Sequence, residues 1–122
     1  MKTTLFSVVL IFVFLSGCSN NDSSNNPVAP TPSTVAYAVS GSAASVSLTY
    51  TNATGGTEQI ASASLPWGKS FTAQSGAFVY VSAQNNGSAG TVTATITVNG
   101  KVLQTSTSSG AYVIATASGD VP

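Results

Sequence analysis

Residues 91–100 read Thr-Val-Thr-Ala-Thr-Ile-Thr-Val-Asn-Gly, and this stretch decides the fold. Four apolar residues alternate with four threonines, which is the period of two expected of a β-strand with one face on a core. Asn99-Gly100 then supplies two residues that tolerate the positive φ angles of a type I′ turn. Lys101-Val102 follows directly, so the segment predicts a β-hairpin.

The same alternation recurs on both sides of this hairpin. It is seen in Val35–Val39 and Val46–Tyr50, and Thr57–Ser64 is a further strand candidate. Phe78–Val81 and Tyr112–Ala117 carry apolar residues at successive positions, so we expect these two strands to be covered on both faces.

Turn-forming residues separate these runs at short intervals, in Asn52–Gly56, Asn85–Gly90 and Ser108–Gly110, and no segment sustains a helical period. The pattern predicts an all-β domain over residues 35–120. We expect a single antiparallel β-sandwich, Ig-like, with about seven or eight strands.

The N-terminal residues are typical of an export signal. Lys2 is followed by an apolar stretch, Leu5–Leu15, which only Ser7 interrupts. A membrane-spanning helix needs about 20 apolar residues, and here polar residues follow too soon. Residues 1–17 are therefore predicted to be a signal peptide.

The end of this stretch, Leu15-Ser16-Gly17-Cys18, resembles the lipobox of bacterial lipoproteins. The resemblance implies cleavage before Cys18 and lipid on its thiol. Cys18 is the only cysteine of the chain, so no disulfide competes for it. Two acyl chains hold a protein stably in a membrane. Two alternatives stay open: a secreted protein with a chance cysteine, or an anchor that is not cleaved.

Residues 18–34 are rich in serine and asparagine and then in proline, at positions 27, 30 and 32. Such a segment cannot bury enough apolar area to fold, so we expect a disordered, lipidated linker. It would reach up to about 50 Å from the membrane. Ser19, directly after the cysteine, favours the outer membrane in a host that has one.

Composition argues against several classes of function. The chain has no histidine and no arginine, and the predicted domain has only Glu58 and Asp120 as acidic residues. Acid–base catalysis generally uses histidine or paired carboxylates, so we expect no enzyme. We also expect no metal site, no cofactor and no nucleic-acid binding, because ligands and a basic surface are missing from the sequence.

Five segments of the predicted domain carry a resemblance to a known family: Tyr50–Gln59, Leu65–Ser70 (Leu-Pro-Trp-Gly-Lys-Ser), Val81–Asn85, Thr91–Val102 and Ser109–Ala117. Together they resemble the extracytoplasmic β-domain of the mycobacterial small membrane proteins called MmpS. The resemblance covers roughly residues 35–119. It implies a β-sandwich module that assists large lipid- and siderophore-exporting transporters.

The chain departs from this family in two ways. The family's cysteine pair would fall at Ala94 and Ala117, and the resemblance implies that the strands carrying them face each other across the core. The family also uses an N-terminal transmembrane helix as its anchor, where this chain is predicted to use lipid.

Trp67 and Lys69 are the candidate binding residues. Trp67 suits a platform for a sugar or an apolar ligand, but it equally suits a plug at one end of the sandwich, which we favour. Lys69, like Lys101, also fits a surface cation that aids solubility. Tyr37, Tyr50, Tyr80 and Tyr112 are expected to be core residues whose hydroxyls reach water.

The sequence thus predicts a membrane-anchored lipoprotein of the cell envelope with a non-catalytic binding module. Its partner would be an envelope transporter or an apolar small molecule, in addition to the membrane itself. The alternative is a structural or adhesive surface lipoprotein without a small ligand.

Overall fold

The computed structural model describes Pro27 and residues 29–122. The predicted signal peptide, its cleavage motif Leu15–Gly17 and the lipidation site Cys18 lie outside the described residues. Pro27 and residues 29–32 have no regular secondary structure. The first strand begins at Ser33, two residues before the predicted boundary of the domain.

The described residues form eight β-strands and no helix. They are β1 (Ser33–Ser40), β2 (Val46–Thr51), β3 (Thr57–Ala63), β4 (Trp67–Ala73), β5 (Phe78–Asn85), β6 (Thr91–Val98), β7 (Lys101–Ser109) and β8 (Ile114–Asp120). Every pairing between them is antiparallel.

The strands make two four-stranded sheets, with the orders β4-β1-β6-β7 and β3-β2-β5-β8. The predicted antiparallel sandwich is therefore confirmed. In an immunoglobulin constant domain the first strand pairs with the second. Here β1 pairs instead with β4 and β6, so the likeness to that fold lies in its two layers and not in its strand order.

The hairpin between β6 and β7 has the predicted turn. Asn99 has a φ of 51° and Gly100 a φ of 80°, both positive as a type I′ turn requires. The Asn99 N–H donates to the Thr34 carbonyl at 2.8 Å, and the Thr34 N–H donates to Asn99 Oδ1 at 2.9 Å. This turn therefore also holds the start of β1 in place.

The core lies between the sheets and is built by alternation. Along β6 the apolar residues point inward, and the outward threonines bond to β7, with Thr93 Oγ1 at 2.9 Å from Thr107 Oγ1 and Thr95 Oγ1 at 3.0 Å from Thr105 Oγ1. The largest fully buried apolar side chains are Tyr37, Leu48, Ile96, Val35, Val39, Val46, Val79, Val81, Val92 and Val121.

Tyr37 joins the two sheets through its hydroxyl group. The side chain is 1% exposed, and the hydroxyl donates to the Thr51 carbonyl at 2.9 Å and lies 2.8 Å from Thr51 Oγ1. It also accepts the Tyr80 N–H at 3.3 Å. The expectation that this hydroxyl reaches water is wrong, because partners on the opposite sheet satisfy it.

Two other expectations are also wrong: that the last strand begins at Tyr112, and that this strand and the Phe78–Val81 strand are covered on both faces. β8 begins at Ile114, and Tyr112 precedes it in a turn with a φ of 54°. Tyr112 is 62% exposed, Ile114 53% and Phe78 57%, so β5 and β8 bury one face each. The described residues form only two layers, so nothing covers the outer faces of β5 and β8 and their outward apolar residues stay exposed.

Ala94 and Ala117 are both buried and lie on β6 and β8, which belong to opposite sheets and contact each other. The resemblance implied that these two strands face each other across the core, and the structure places them so. Each position now carries a side chain small enough for close sheet packing.

The antiparallel pairing assigns every loop to one of two ends. Ser33 at the start of β1 pairs with Ala73 at the end of β4, so the chain enters the domain beside the β4–β5 loop. We call this the entry end; the β2–β3 and β6–β7 turns and the C-terminal residues also lie there. The far end carries the β1–β2, β3–β4, β5–β6 and β7–β8 loops.

Candidate functional site

Trp67 and Lys69 lie on the same side of β4, the edge strand of its sheet. Trp67 is opposite Val39 of β1, and Lys69 is opposite Tyr37. Both side chains are partly buried, and Trp67 packs against the core. Trp67 is the first residue of β4 at the far end, so it covers an edge of the sandwich rather than closing one end completely.

Lys69 forms an ion pair that crosses between the two sheets. Its Nζ lies 3.4 Å from Oε2 of Glu58, which belongs to β3, the edge strand of the other sheet. The side chains are 38% exposed for Lys69 and 43% for Glu58, although Oε2 itself is shielded from solvent. Lys69 is thus a partly exposed cation that is paired with a carboxylate.

Tyr50 lies beneath this ion pair and links it to Trp67. The Lys69 ammonium is 5.3 Å from the centre of the Tyr50 ring, within the range of a cation–π contact. The Tyr50 and Trp67 rings are 5.2 Å apart. We call Tyr50, Glu58, Trp67 and Lys69 the seam cluster, since they fill the seam between edge strands β3 and β4.

Further aromatic side chains connect the seam cluster to the core. The Tyr37 ring meets the Tyr50 ring edge-on at 5.9 Å and the Phe71 ring at 5.2 Å. Edge-to-face pairs of this kind contribute about 0.5–1.5 kcal/mol beyond their buried area. The four tyrosines thus do not form one surface: Tyr37 and Tyr50 are buried here, while Tyr112 is exposed at the far end.

Contacts within the seam cluster shift the pKa of each of its titratable groups further away from neutral pH. The Tyr50 hydroxyl and, next, the Lys69 ammonium lower the pKa of Glu58. The Glu58 carboxylate raises the pKa of Lys69. Burial, followed by the nearby Glu58 carboxylate, raises the pKa of Tyr50. Near pH 7 the carboxylate and the ammonium stay charged and the phenol stays neutral.

These protonation states fix what the seam cluster can do chemically. A general acid or base needs a pKa near the working pH, and the pKa values of all three groups are shifted away from neutral pH. Inward-pointing charges on edge strands also keep such strands from pairing with other chains. The arrangement thus suits a role in aligning and protecting the edges of the two sheets.

Sequence reasoning missed the pairing of Glu58 with Lys69 and treated Glu58 as isolated. A signal was present, because the turn Asn52–Gly56 fixes the register of the β2–β3 hairpin. In that register Tyr50 and Glu58 are opposite each other. Lys69 could not be added in this way, because it comes from the other sheet.

The remaining predictions can be placed as follows. Within residues 29–122 no group of three or more potential metal ligands comes together. That same part of the chain contains no helix with the length and apolar character needed to cross a membrane. Lys101 and Asp120 are exposed at the entry end and lie outside the seam cluster.

In a comparison with known protein families, the chain matches the family described as Mycobacterium membrane protein over residues 4–118. The chain belongs to this family. Its members are the MmpS-type proteins that the sequence resembles, so that resemblance is confirmed. No curated protein matches the chain.

The range of the match includes more than the sandwich. It begins at residue 4 and so takes in the apolar stretch Leu5–Leu15 as well as nearly all of the strands. Membership of an MmpS-type family makes this chain a membrane-associated protein of the cell envelope.

Proposed function

We propose that this protein is a lipid-anchored, non-catalytic accessory module of a transporter in the cell envelope. The observation that carries the proposal is the family match, which runs continuously through residues 4–118 and so includes both the apolar N-terminal stretch and the sandwich. Accessory work for large exporters is the role that the MmpS-type resemblance implies. The step from family to role is an analogy of function within a shared fold.

The anchor in this proposal is lipid on Cys18. It is supported by Leu15-Ser16-Gly17-Cys18 and by the short apolar stretch before it. An apolar run of this length suits a signal peptide better than a spanning helix. In a host with two membranes, Ser19 favours the outer one.

A non-catalytic role is supported by the seam cluster, the place in the described residues where an acid, a base and a phenol meet. Glu58 and Lys69 hold each other in their charged forms, so neither is poised to exchange a proton near pH 7. A partner would therefore bind to the outer surface of the domain. Among the residues that the structure describes, four large apolar side chains are more than half exposed: Phe78, Val102, Tyr112 and Ile114.

A structural or adhesive surface lipoprotein is the second candidate. It is favoured by the outer face of the sheet that contains β6. There the outward residues Thr91, Thr93, Thr95 and Thr97 form a row of hydroxyls without a charge, and β7 extends it with Thr105 and Thr107. A flat polar face of this kind could lie against a polysaccharide layer.

Capture from native membranes distinguishes the two roles. The full chain, with its own signal and a C-terminal tag, is cross-linked in its host and purified in detergent. The control carries the same residues 1–32 fused to an unrelated β-sandwich. Recovery of a large polytopic membrane protein with the full chain, and not with the control, would support the accessory role. Recovery of wall or surface polymer alone would contradict it and favour adhesion.

A further inference from the structure

We propose that the entry end of the sandwich rests on the lipid bilayer, with Phe78 and Val102 as the side chains that enter the interface. The inference rests on the lipid anchoring proposed above. It adds an orientation: the domain does not float at the end of its linker but stands on the membrane by one defined end.

The entry end is defined by hydrogen bonds and register. Val121 is 2% exposed and closes this end, because its N–H donates to the Ala77 carbonyl at 2.9 Å and its carbonyl accepts the Gly76 N–H at 2.7 Å. Ser33 is held nearby through Asn99 Nδ2, 3.2 Å from its hydroxyl. The direction in which the anchored segment leaves the domain is therefore fixed by a rigid part of the fold.

Two large apolar side chains are exposed around this exit point. Phe78 at the start of β5 is 57% exposed, and Val102 near the start of β7 is 63% exposed. Two open cavities lie at the entry end, and Ser33 lines one of them. One of about 340 Å³ is lined by Phe71, Ala73, Ala77, Phe78 and the β2–β3 turn. The other, of about 370 Å³, is lined by Val98, Val102, Leu103 and Pro122.

The charges at this end are compatible with a lipid surface. Lys101 is exposed beside Val102, where its long side chain can place the ammonium among lipid headgroups while its methylene groups lie along apolar surface. Asp120, opposite Phe78 in the register of β5 and β8, balances it, so no net negative charge repels an anionic membrane.

The length of the linker identifies the lipid bilayer as the surface that the entry end contacts. Only 14 residues separate Cys18 from Ser33, which limits the gap between the lipid and the entry end to about 50 Å at full extension. Two apolar side chains would bind a bilayer weakly on their own. With the anchor in place the contact becomes intramolecular, and a high effective concentration favours it. The far end, which exposes Tyr112 and Ile114 to a similar degree, has no such link to the membrane.

Bromolipid quenching tests the proposal on the lipidated full-length protein. Trp67 is first replaced by phenylalanine, and a single reporter is then introduced by Phe78→Trp, Val102→Trp or, as the matched control, Tyr112→Trp. Each protein is reconstituted into vesicles of phosphatidylcholine and phosphatidylglycerol with brominated acyl chains. Melting curves check that each variant is folded, and flotation checks that it is anchored.

We expect loss of emission at both entry-end reporters, from a depth of about 5–10 Å below the headgroup surface, and none with Tyr112→Trp. Anchored protein with no quenching at either entry-end reporter, or with equal quenching at all three, would overturn the orientation and leave the anchor standing. Failure of the folded protein to float with the vesicles would overturn both. Shielding of the entry-end reporters in native membranes but not in vesicles would also overturn the proposal and assign this end to a protein partner.

Discussion

At the scale of single residues, the chain has very few charged side chains, and their positions matter more than their number. Lys69 and Glu58 are the two charged residues on the inward sides of the β3 and β4 edge strands, and they meet each other at 3.4 Å. Exposed ion pairs contribute little to the free energy of unfolding on their own. Their position matters more, because a single unpaired charge at this seam would face the aromatic rings of the core.

The ion pair gives stability a defined dependence on pH. Because the pKa of Glu58 is lower in the folded state than its ordinary value near 4.5, its contribution is present above that value and is lost as the pH falls through the folded pKa. The raised pKa of Lys69 has its effect at the alkaline end, where the contribution is lost as the pH rises through the folded pKa.

We therefore expect Glu58→Gln to flatten the acid branch of the stability curve. The urea midpoint of the wild type should fall more steeply than that of the variant as the pH drops below about 5. Asp120→Asn is the control, since Asp120 is an exposed carboxyl outside the seam cluster, and its curve should keep the steepness of the wild type. If the urea midpoints of wild type and Glu58→Gln changed with pH in parallel, the stabilising role assigned to the Glu58 carboxylate would be contradicted.

Trp67 is expected to be a structural residue. Its ring packs on Tyr50 at 5.2 Å and against the core, so Trp67→Ala should lower the free energy of unfolding by about 3 kcal/mol, the lower end of the range for a large buried aromatic. The native emission should be blue-shifted and only moderately quenched by iodide. Tyr112→Ala, at an exposed aromatic, should change stability by less than about 0.5 kcal/mol.

A red-shifted, readily quenched Trp67 whose replacement leaves the melting point unchanged would point the other way. The side chain would then be a binding platform, and the site would move to the Leu65–Lys69 segment.

At the scale of elements, the two types of connection place different demands on their residues. The β6–β7 hairpin turns in open space, so Gly100 is needed only for its φ of 80°. Gly41, in the β1–β2 connection that crosses from one sheet to the other, has a φ of 139°, and a side chain there would overlap the carbonyl oxygen of Thr91. The β1–β2 crossing therefore needs a glycine for space as well as for conformation.

This difference can be measured by two matched substitutions. Gly100→Ala should cost about 1–2 kcal/mol, the penalty for a left-handed backbone with a Cβ atom. Gly41→Ala should cost clearly more, because the steric overlap with the Thr91 carbonyl is added to the backbone penalty. Equal losses in the free energy of unfolding would show that the β1–β2 connection can move away from β6.

The facing of β6 and β8 across the core can be tested by restoring a cross-link. The double substitution Ala94→Cys with Ala117→Cys should close a disulfide in the folded protein and raise stability by about 2–4 kcal/mol relative to its own reduced form. Free thiols at both positions after oxidation of the folded protein would show that the two side chains do not oppose each other.

At the scale of the whole molecule, the fold and the anchor are separable. The described residues contain no helix able to cross a membrane, and their core is closed within the two sheets. A Cys18→Ala protein should therefore either keep its signal peptide uncleaved or be released from the membrane in soluble form. Fractionation after a high-salt wash decides between the outcomes, with Ser16→Ala as a control that keeps a small residue in the motif. A Cys18→Ala protein that has lost its signal and still sediments with membranes would contradict lipid anchoring.

The sequence by itself determined the class of fold, the position of most strands and the family. Period-two alternation can be read locally, because each strand alternates its side chains between core and solvent whatever its neighbours are. The Asn99-Gly100 turn was equally local, since its two positive φ angles depend on those two residues alone. The MmpS-type resemblance followed from segments that are each contained within one or two strands.

Only the tertiary structure decided which strands are neighbours, and with that the nature of the site. A run of successive apolar residues does not say how many layers a fold has, so β5 and β8 were expected to be covered on both faces, although the described residues place no third layer outside them. The Tyr37 hydroxyl and the Lys69 ammonium find their partners on the opposite sheet, and such contacts leave no periodic trace in the sequence. The entry end became visible for the same reason, because antiparallel register brings Ser33, Phe78 and Val102 to one end from three distant parts of the chain.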